Sequence, residues 1–229
     1  MKIVGIIPAR GGSKGVPKKN TKNLNGKPLI YYTIKEAKKS KFLTKIFVST
    51  ENKEIVKTVN KYGVEVIPRP KILANDKTPT MMVMRHAINY LKKNKIINPD
   101  VIVILQPTSP LRQVRDIDKC IKIFLDNEFS TVVSVSESKH PLSWTFNITN
   151  KKLQQIIKSP QSTRRQDISP VYHLNGAVYV TLSKNFLKEK FQFGKGNFPY
   201  KMPHCRSIDI DTKLDFKIAD FLIRNKKLV

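Results

Sequence analysis

The chain is short of acid. Of its 229 residues, 17 are Asp or Glu and 43 are Lys or Arg, a formal net charge of +26 at pH 7. Such a field attracts polyanions, whether nucleic acid or small phosphorylated substrates, but says little about fold. The lysines are not gathered in one block. They dot helix-like faces such as Lys35, Lys38, Lys39 and Lys41, and Lys, Asn and Ile are abundant throughout. That spread favours biased composition and steering of small anions over a nucleic-acid surface, so no nucleic-acid partner is expected. Cysteine is equally scarce: Cys120 and Cys205 lie far apart without metal-ligand spacing. This excludes a disulfide framework and suits a reducing compartment. No apolar run approaches the ~20 residues that cross a bilayer. The opening Met1-Lys2-Ile3-Val4-Gly5 lacks a cleavage pattern, so a cytoplasmic protein with no membrane partner is expected. No period of 20–50 residues recurs, which excludes a repeat architecture.

What is present is alternation. Lys2 to Pro8 reads as a buried strand followed by a Gly-rich loop, and Pro28 as the first residue of a helix with Leu29, Ile30, Ile34 and Ala37 inward. Strands at 46–49, 64–67, 101–105 and 131–135 alternate with helices near 51–62, around Met81–Leu91 and at 114–126. The pattern changes from His140 to about Ser169, where prolines at 141, 160 and 170 break it. It resumes with a strand at 176–182, a strand at 207–211 and a final helix. Leu214, Ile218, Phe221 and Leu222 mark a stripe on that helix, and Thr212 with Asp215 resembles a capping box. Strand–helix alternation predicts an α/β fold, a Rossmann-like three-layer sandwich with a mostly parallel sheet. One domain, 1–229, is expected, with 140–170 as an inserted β-rich arm.

In such a sheet ligands bind outside the carboxyl ends of the strands, and the unusual residues of this chain fall there. Directly after the first strand comes Pro8-Ala9-Arg10-Gly11-Gly12-Ser13-Lys14-Gly15-Val16-Pro17-Lys18-Lys19-Asn20. Its glycines permit close backbone approach to an anion, and Arg10, Lys14 and Lys19 offset phosphate charge. The spacing matches neither G-x-x-x-x-G-K-[ST] nor G-x-G-x-x-G. In Leu105-Gln106-Pro107-Thr108-Ser109-Pro110-Leu111-Arg112 the two prolines stop the strand running into a helix, displaying Gln106, Thr108 and Ser109 on a loop. Asp209 and Asp211 stand two apart on the expected 207–211 strand. Both carboxylates then share a face while Ile208 and Ile210 pack opposite. Two hard oxygen ligands side by side suit Mg²⁺. A lone D-x-D is equally a solvated strand end. No histidine presents itself as a general base: His86 is helical, and His140, His173 and His204 lie in loop-like contexts.

Taken together, ARGGSKGVPKKN, LQPTSPLR, Arg164-Arg165-Gln166-Asp167 with Asn175-Gly176, and Ser207-Ile208-Asp209-Ile210-Asp211 resemble, in order, the motifs of the acylneuraminate cytidylyltransferase (CMP-N-acetylneuraminic acid synthetase) family. The resemblance implies a nucleotide-diphospho-sugar transferase type of fold. It also implies a homodimer whose 140–170 arm pairs with its partner. The implied substrates are CTP and a nine-carbon acidic sugar, joined with Mg²⁺ at Asp209 and Asp211. It further implies nucleotide contacts from Ala9, Arg10, Gly11, Ser13, Lys14, Lys19, Asn20, Arg69 and Thr80. Sugar contacts fall to Gln106, Arg165, Asn175, Tyr179 and Phe193, and the catalytic roles to Arg10, Lys19, Arg165 and Asp211. For Tyr179 and Phe193, plain core packing reads equally well. After His140-Pro141-Leu142 this chain has Ser143-Trp144 where sialic acid enzymes place a lysine. The sugar therefore stays open among sialic, legionaminic, pseudaminic and related acids. A Kdo cytidylyltransferase and a guanylyl-transferring relative are the alternatives among enzymes. A basic nucleic-acid-binding module is the alternative outside them.

Overall fold

The first strand, β1 (Ile3–Pro8), has every position to Ile7 buried. Such a run, apolar on both faces, belongs inside a parallel sheet covered above and below. In the computed structural model, which describes residues 1–156, 169–188, 192–194 and 196–228, β1 lies near the middle of a seven-stranded sheet. Beside it run β4 (Lys45–Thr50) and β6 (Val101–Ile104), both parallel to it, and β5 (Glu65–Pro68) lies beyond β4, also parallel. On the other side of β6 come β10 (Tyr172–Leu182), β7 (Val132–Glu137) and β11 (Phe198–Lys201). β10 is antiparallel to both neighbours, and β11 is parallel to β7. The mostly parallel sheet of the sequence reading is therefore present, with one reversed strand inside it.

Period-two alternation sorts the strand side chains onto two faces. Ile3 and Ile7 of β1 pack with α1 (Leu29–Lys38), α2 (Lys53–Asn60) and α4 (Val114–Asp126). Val4 and Ile6 pack with α3 (Thr80–Lys93), where Val83, Met84, Ala87, Ile88 and Leu91 form the inward stripe. The layers are thus helices, sheet, helix. A third, smaller cluster joins Val16, Leu24, Leu29, Leu111 and Ile210 to the last helix, α5 (Lys213–Arg224). Two short pairings stand outside the main sheet. One is β2 (Asn23–Leu24) with β3 (Lys27–Pro28); the other is β8 (Phe146–Thr149) with β9 (Lys152–Gln155). The β8–β9 turn is Asn150-Lys151, both at positive φ (52° and 62°), the left-handed pair that a two-residue hairpin requires. Of the 140–170 segment, residues 140–156 and 169–170 are described, and the β8–β9 hairpin lies within the first stretch after a short helical turn at Leu142–Trp144. Among the described residues no helix is long and apolar enough to cross a membrane.

Two expectations are corrected. Residues 207–211 form no strand; the segment is irregular, tied by the Ile210 N–H to the Thr108 carbonyl at 2.9 Å. It runs past the sheet and directly into the α5 cap, so it has no strand to pair with. The side-chain alternation survives without a ladder, because Ile210 is fully buried and Ile208 packs beside it. The α5 stripe is also different: Phe216, Ala219 and Ile223 are buried with Leu222 beside them, while Leu214 (65% exposed) and Phe221 (57%) face outward. The helix carries two apolar stripes, and contact with Leu24, Leu29 and Leu111 decides between them. The Thr212–Asp215 capping box is present as read.

Candidate active site

Parallel strands β1, β4, β5 and β6 all end at one edge of the sheet, and the segments after β1, β5 and β6 converge on a cleft of about 250 Å³. Arg10, Ser13, Lys19 and Asn20 line it from the loop after β1, and Arg69 from the end of β5. Thr80 and Val83 contribute the first turn of α3; Gln106 and Thr108 come from the loop after β6. An α-helix N-terminus at a cleft wall favours negative charge there. Most sequence-chosen nucleotide residues are thereby brought together.

The others sit nearby in different roles. Ala9 is buried and donates its N–H to the Ser49 carbonyl at 3.0 Å. Gly11 donates its N–H to Glu51 Oε1 at 2.6 Å and packs on Asn52, whose side chain caps α2. A Cβ at Gly11 would stand 2.3 Å from Asn52 Nδ2, so only glycine fits against that cap. Lys14 is exposed at the rim, 2.9 Å from Asp76. Asn20 is anchored by its Nδ2 donating to the Arg10 carbonyl at 2.9 Å. Its Oδ1 is buried with no hydrogen-bond partner among the described residues. Arg69 donates to Ser49 Oγ and the Ser49 carbonyl, and burial pulls its pKa down to about 10, still charged at neutral pH.

The acidic segment faces this loop. Lys19, whose side chain is 13% exposed, reaches the Ile210 carbonyl at 2.5 Å and Asp211 Oδ1 at 3.3 Å. Gly15 lies flat on the same segment, so close that an added Cβ would come within 1.9 Å of the Asp211 carbonyl oxygen. Asp209 is reached by solvent, yet its carboxyl is partly enclosed. Desolvation holds it above the ordinary carboxylate range; a Thr108 hydrogen bond opposes this and the Asp211 charge reinforces it. Gly176, at φ +73°, brings its backbone against Gln106: a Cβ there would lie 2.6 Å from Gln106 Oε1 and 3.6 Å from Asp209 Oδ2. Gln106 and Asp209 are thus on one floor.

This donor set fits a hard divalent cation. Among the described residues there is no cluster of three or more His, Cys, Asp or Glu. Two carboxylates alone match Mg²⁺, which takes one or two protein carboxylates and completes its shell with water and phosphate oxygens. Burial first, and the Asp211 charge after it, raise the Asp209 pKa, and a cation at the carboxylate would offset both.

Asn175 is buried, bonded to Ser134 and to Ser207 Oγ, so it holds the acidic segment onto β10. Tyr179 packs on Phe193 with ring centroids 4.7 Å apart, in the core beneath the floor; neither lines the cleft. Burial, then the Asp209 charge, raise the Tyr179 phenol pKa. Arg164, Arg165, Gln166 and Asp167 lie outside the described residues.

Several residues went unread in the sequence. Asp76 pairs with both Arg10 and Lys14, so a carboxylate bridges two cations of the loop. Nothing in its neighbourhood, Ala74-Asn75-Asp76-Lys77, signals that. Arg112 is 1% exposed. It donates to the carbonyls of Gln106 and Ala177 and to Thr33 Oγ, which fastens the Gln106 loop to β10 and α1. Its position in a proline-bounded apolar loop was the available signal.

An open α/β sheet whose carboxyl edge carries a cleft lined by Arg10, Lys19 and Arg69, with the Asp209–Asp211 segment outside that lining but held against it by Lys19, defines an α/β protein with a site suited to an anionic ligand. The chain belongs to the family described as Cytidylyltransferase, which it matches over residues 4–226. It is 33% identical over 99% of its length to an N-acylneuraminate cytidylyltransferase of Streptococcus agalactiae, covering 56% of that protein. It therefore spans about half the length of such curated relatives. It is 31% identical over 98% of its length to a pseudaminic acid cytidylyltransferase of Campylobacter jejuni, covering 97% of it. Among solved structures, CMP:2-keto-3-deoxy-manno-octonic acid synthetase complexed with CTP superposes with a TM-score of 0.73 at 16% identity. That match covers 99% of this chain and 100% of the other, a likeness of fold.

Proposed function

We propose that this protein is a cytidylyltransferase that joins CMP from CTP to a nonulosonic acid, releasing pyrophosphate. The observation that carries this reading is the meeting of the cationic loop and the acidic segment at the edge of the cleft, where Lys19, which lines it, bonds the Ile210 carbonyl and Asp211. The family match supports nucleotidyl transfer, and relatives named for N-acylneuraminate and pseudaminic acid support the acid-sugar class.

In the reaction the sugar's anomeric hydroxyl attacks the α-phosphorus of CTP in line, forming the new P–O bond as the bond to pyrophosphate breaks and the hydroxyl proton passes to solvent. Such transfers depend on positioning and electrostatic stabilisation. Arg10 and Lys19 hold phosphate oxygens, and Asn20 offers its unpartnered Oδ1 as an acceptor to an amino group of the base. Arg69 and the first turn of α3 close the nucleotide end. Gln106, kept in place by Arg112 and Gly176, orients the sugar beside Asp209. Asp209 and Asp211 would hold Mg²⁺, which when bound neutralises charge on the phosphate oxygens. Arg165 is assigned the sugar carboxylate by resemblance alone. A homodimer belongs to this reading as well: Trp144, Phe146, Ile148 and Leu153 leave an apolar surface open on the β8–β9 arm.

The test is pyrophosphate release with CTP, Mg²⁺ and a panel of sialic, pseudaminic, legionaminic and Kdo sugars, repeated with GTP, UTP and ATP. Release with CTP and a nine-carbon acid is expected. Release with GTP alone, or with Kdo alone, would replace this reading by the corresponding relative. Salt-sensitive DNA binding without turnover would remove it.

A further inference from the structure

The acidic pair stands on a segment that no strand holds, so something else must set where it faces the cleft. Arg206, three residues before Asp209, is 8% exposed and lies on Asp116, which is fully buried. Its Nε donates to Asp116 Oδ2 at 3.1 Å and its Nη2 to Oδ1 at 2.9 Å. The Tyr200 hydroxyl donates to Oδ1 at 2.9 Å, and the Gln113 N–H to Oδ2 at 2.9 Å. One carboxylate therefore takes four donors. It sits in the first turn of α4, whose cap Gln113 ends the loop carrying Gln106 and Thr108. Both walls of the floor, the Gln106 loop and the acidic segment, are pinned to the same group.

We propose that Arg206 is a positioning residue for the reaction: its two-point grip on Asp116 fixes where Asp209 and Asp211 face the phosphate-binding loop. This rests on the metal assignment of the proposed function. A buried ion pair is a poor source of net stability, since desolvation offsets most of its attraction. What the arginine fork supplies beyond charge is a fixed plane and angle, which lysine does not reproduce. The segment between Arg206 and Asp211 has further clamps: Ser207 to Asn175 at 3.0 Å, the Ile210 N–H to Thr108 at 2.9 Å, Lys19 to the Ile210 carbonyl at 2.5 Å, and the Asp211 N–H to Asp215 at 3.1 Å. Those clamps fall after Arg206, and Arg206 is what ties the start of the segment to α4.

The test uses the full chain as Arg206→Lys, read by thermal melting, by Mn²⁺ binding in electron paramagnetic resonance with a non-reactive CTP analogue, and by pyrophosphate release. The expected result is a folded protein whose Mn²⁺ affinity and turnover each fall about tenfold or more, the usual effect of removing an orienting partner. The KM for CTP should stay within about twofold at saturating metal. A double variant, Arg206→Met with Asp116→Asn, removes the ion pair while leaving an amide to meet the Gln113 N–H and the Tyr200 hydroxyl. It should recover melting temperature without recovering Mn²⁺ affinity, and it serves also if Arg206→Lys fails to fold. Native Mn²⁺ affinity in either variant overturns the proposal. Asp211→Ala is the separating control: if it binds Mn²⁺ as the wild type does, the metal assignment itself falls and this proposal with it. If Asp211→Ala loses Mn²⁺ while the Arg206 variants keep it, only the positioning role falls.

Discussion

Gly15→Ala is the sharpest single perturbation the structure offers, because the cationic loop and the acidic segment touch at that residue. An ideal Cβ at Gly15 would lie 1.9 Å from the Asp211 carbonyl oxygen and 3.1 Å from its carbon. Ordinary carbon–oxygen contacts fall near 3.3 Å or longer, so the two backbones must part by roughly 1.4 Å. Both partners are main chain, and neither yields by a rotamer change. The Lys19 bridge to Asp211, 3.3 Å as it stands, spans the same gap and would open with it. A displacement of about 1 Å in a catalytic arrangement costs on the order of 100-fold, about 2.7 kcal/mol of transition-state stabilisation. Gly12 is the matched control: it lies three residues earlier in the loop and has nothing within 4 Å of its would-be Cβ. Initial rates of pyrophosphate release should give Gly15→Ala a kcat/KM about 100-fold below wild type, with Gly12→Ala within about twofold. A Gly15→Ala protein with wild-type kcat/KM would refute the argument that this contact aligns the site.

Gly176→Ala forces a non-glycine residue to φ +73° with its Cβ against Gln106. The backbone cost is about 1–2 kcal/mol, or a melting temperature lower by roughly 2–8 °C in a chain of this size. The KM for the acid sugar should rise more than that for CTP, and an unchanged sugar KM would remove Gln106 from the sugar site. Asp76→Asn frees Arg10 and Lys14 from an internal carboxylate, so pyrophosphate and CTP should bind several-fold tighter by calorimetric titration. Weaker binding would mean that Asp76 itself contacts the ligand. For Asp215, desolvation raises the pKa. The Thr212 hydroxyl and amide, the Asp211 amide and Lys19 together outweigh it and leave the carboxyl below its usual range. A depressed carboxylate adds stability that is fully present above the unfolded-state value and is lost as pH falls through the folded one. Asp215→Asn should therefore lower stability near neutral pH, by roughly 0.3–1 kcal/mol for an exposed charge at a helix N-terminus. The difference from wild type should shrink as pH falls below the ordinary carboxylate range, and a gap independent of pH would contradict the linkage.

The sheet was legible because β1, β6 and β7 are apolar on both faces, and because α3 and α4 repeat their inward residues with helical period. The cleft was legible from where the charged loops fall, at strand ends. The direction of β10 was not, since nothing in Gly176–Leu182 encodes whether a strand runs up or down. The acidic segment was misread as a strand because Ile-Asp-Ile-Asp carries period-two alternation whether or not a neighbour pairs with it. On α5, Leu214 and Phe221 competed with Phe216 and Ile223, and only the partner surface separates two apolar stripes. The links that set the site's geometry are long-range contacts such as Asp76 to Arg10 or Arg206 to Asp116, 90 residues apart. No local pattern announces them.

The central claim is that nucleotide phosphate and a divalent ion sit between the loop after β1 and the acids before α5. Paramagnetic broadening by Mn²⁺, added with a non-reactive CTP analogue to isotope-labelled protein, measures this directly. The account predicts strong loss of signal at Gly15, Lys19, Thr108 and Asp211, and intact signals at Lys95 and Asn98 beside the opposite edge of the sheet. Broadening centred on that opposite edge, or none at Gly15 and Asp211, would contradict it.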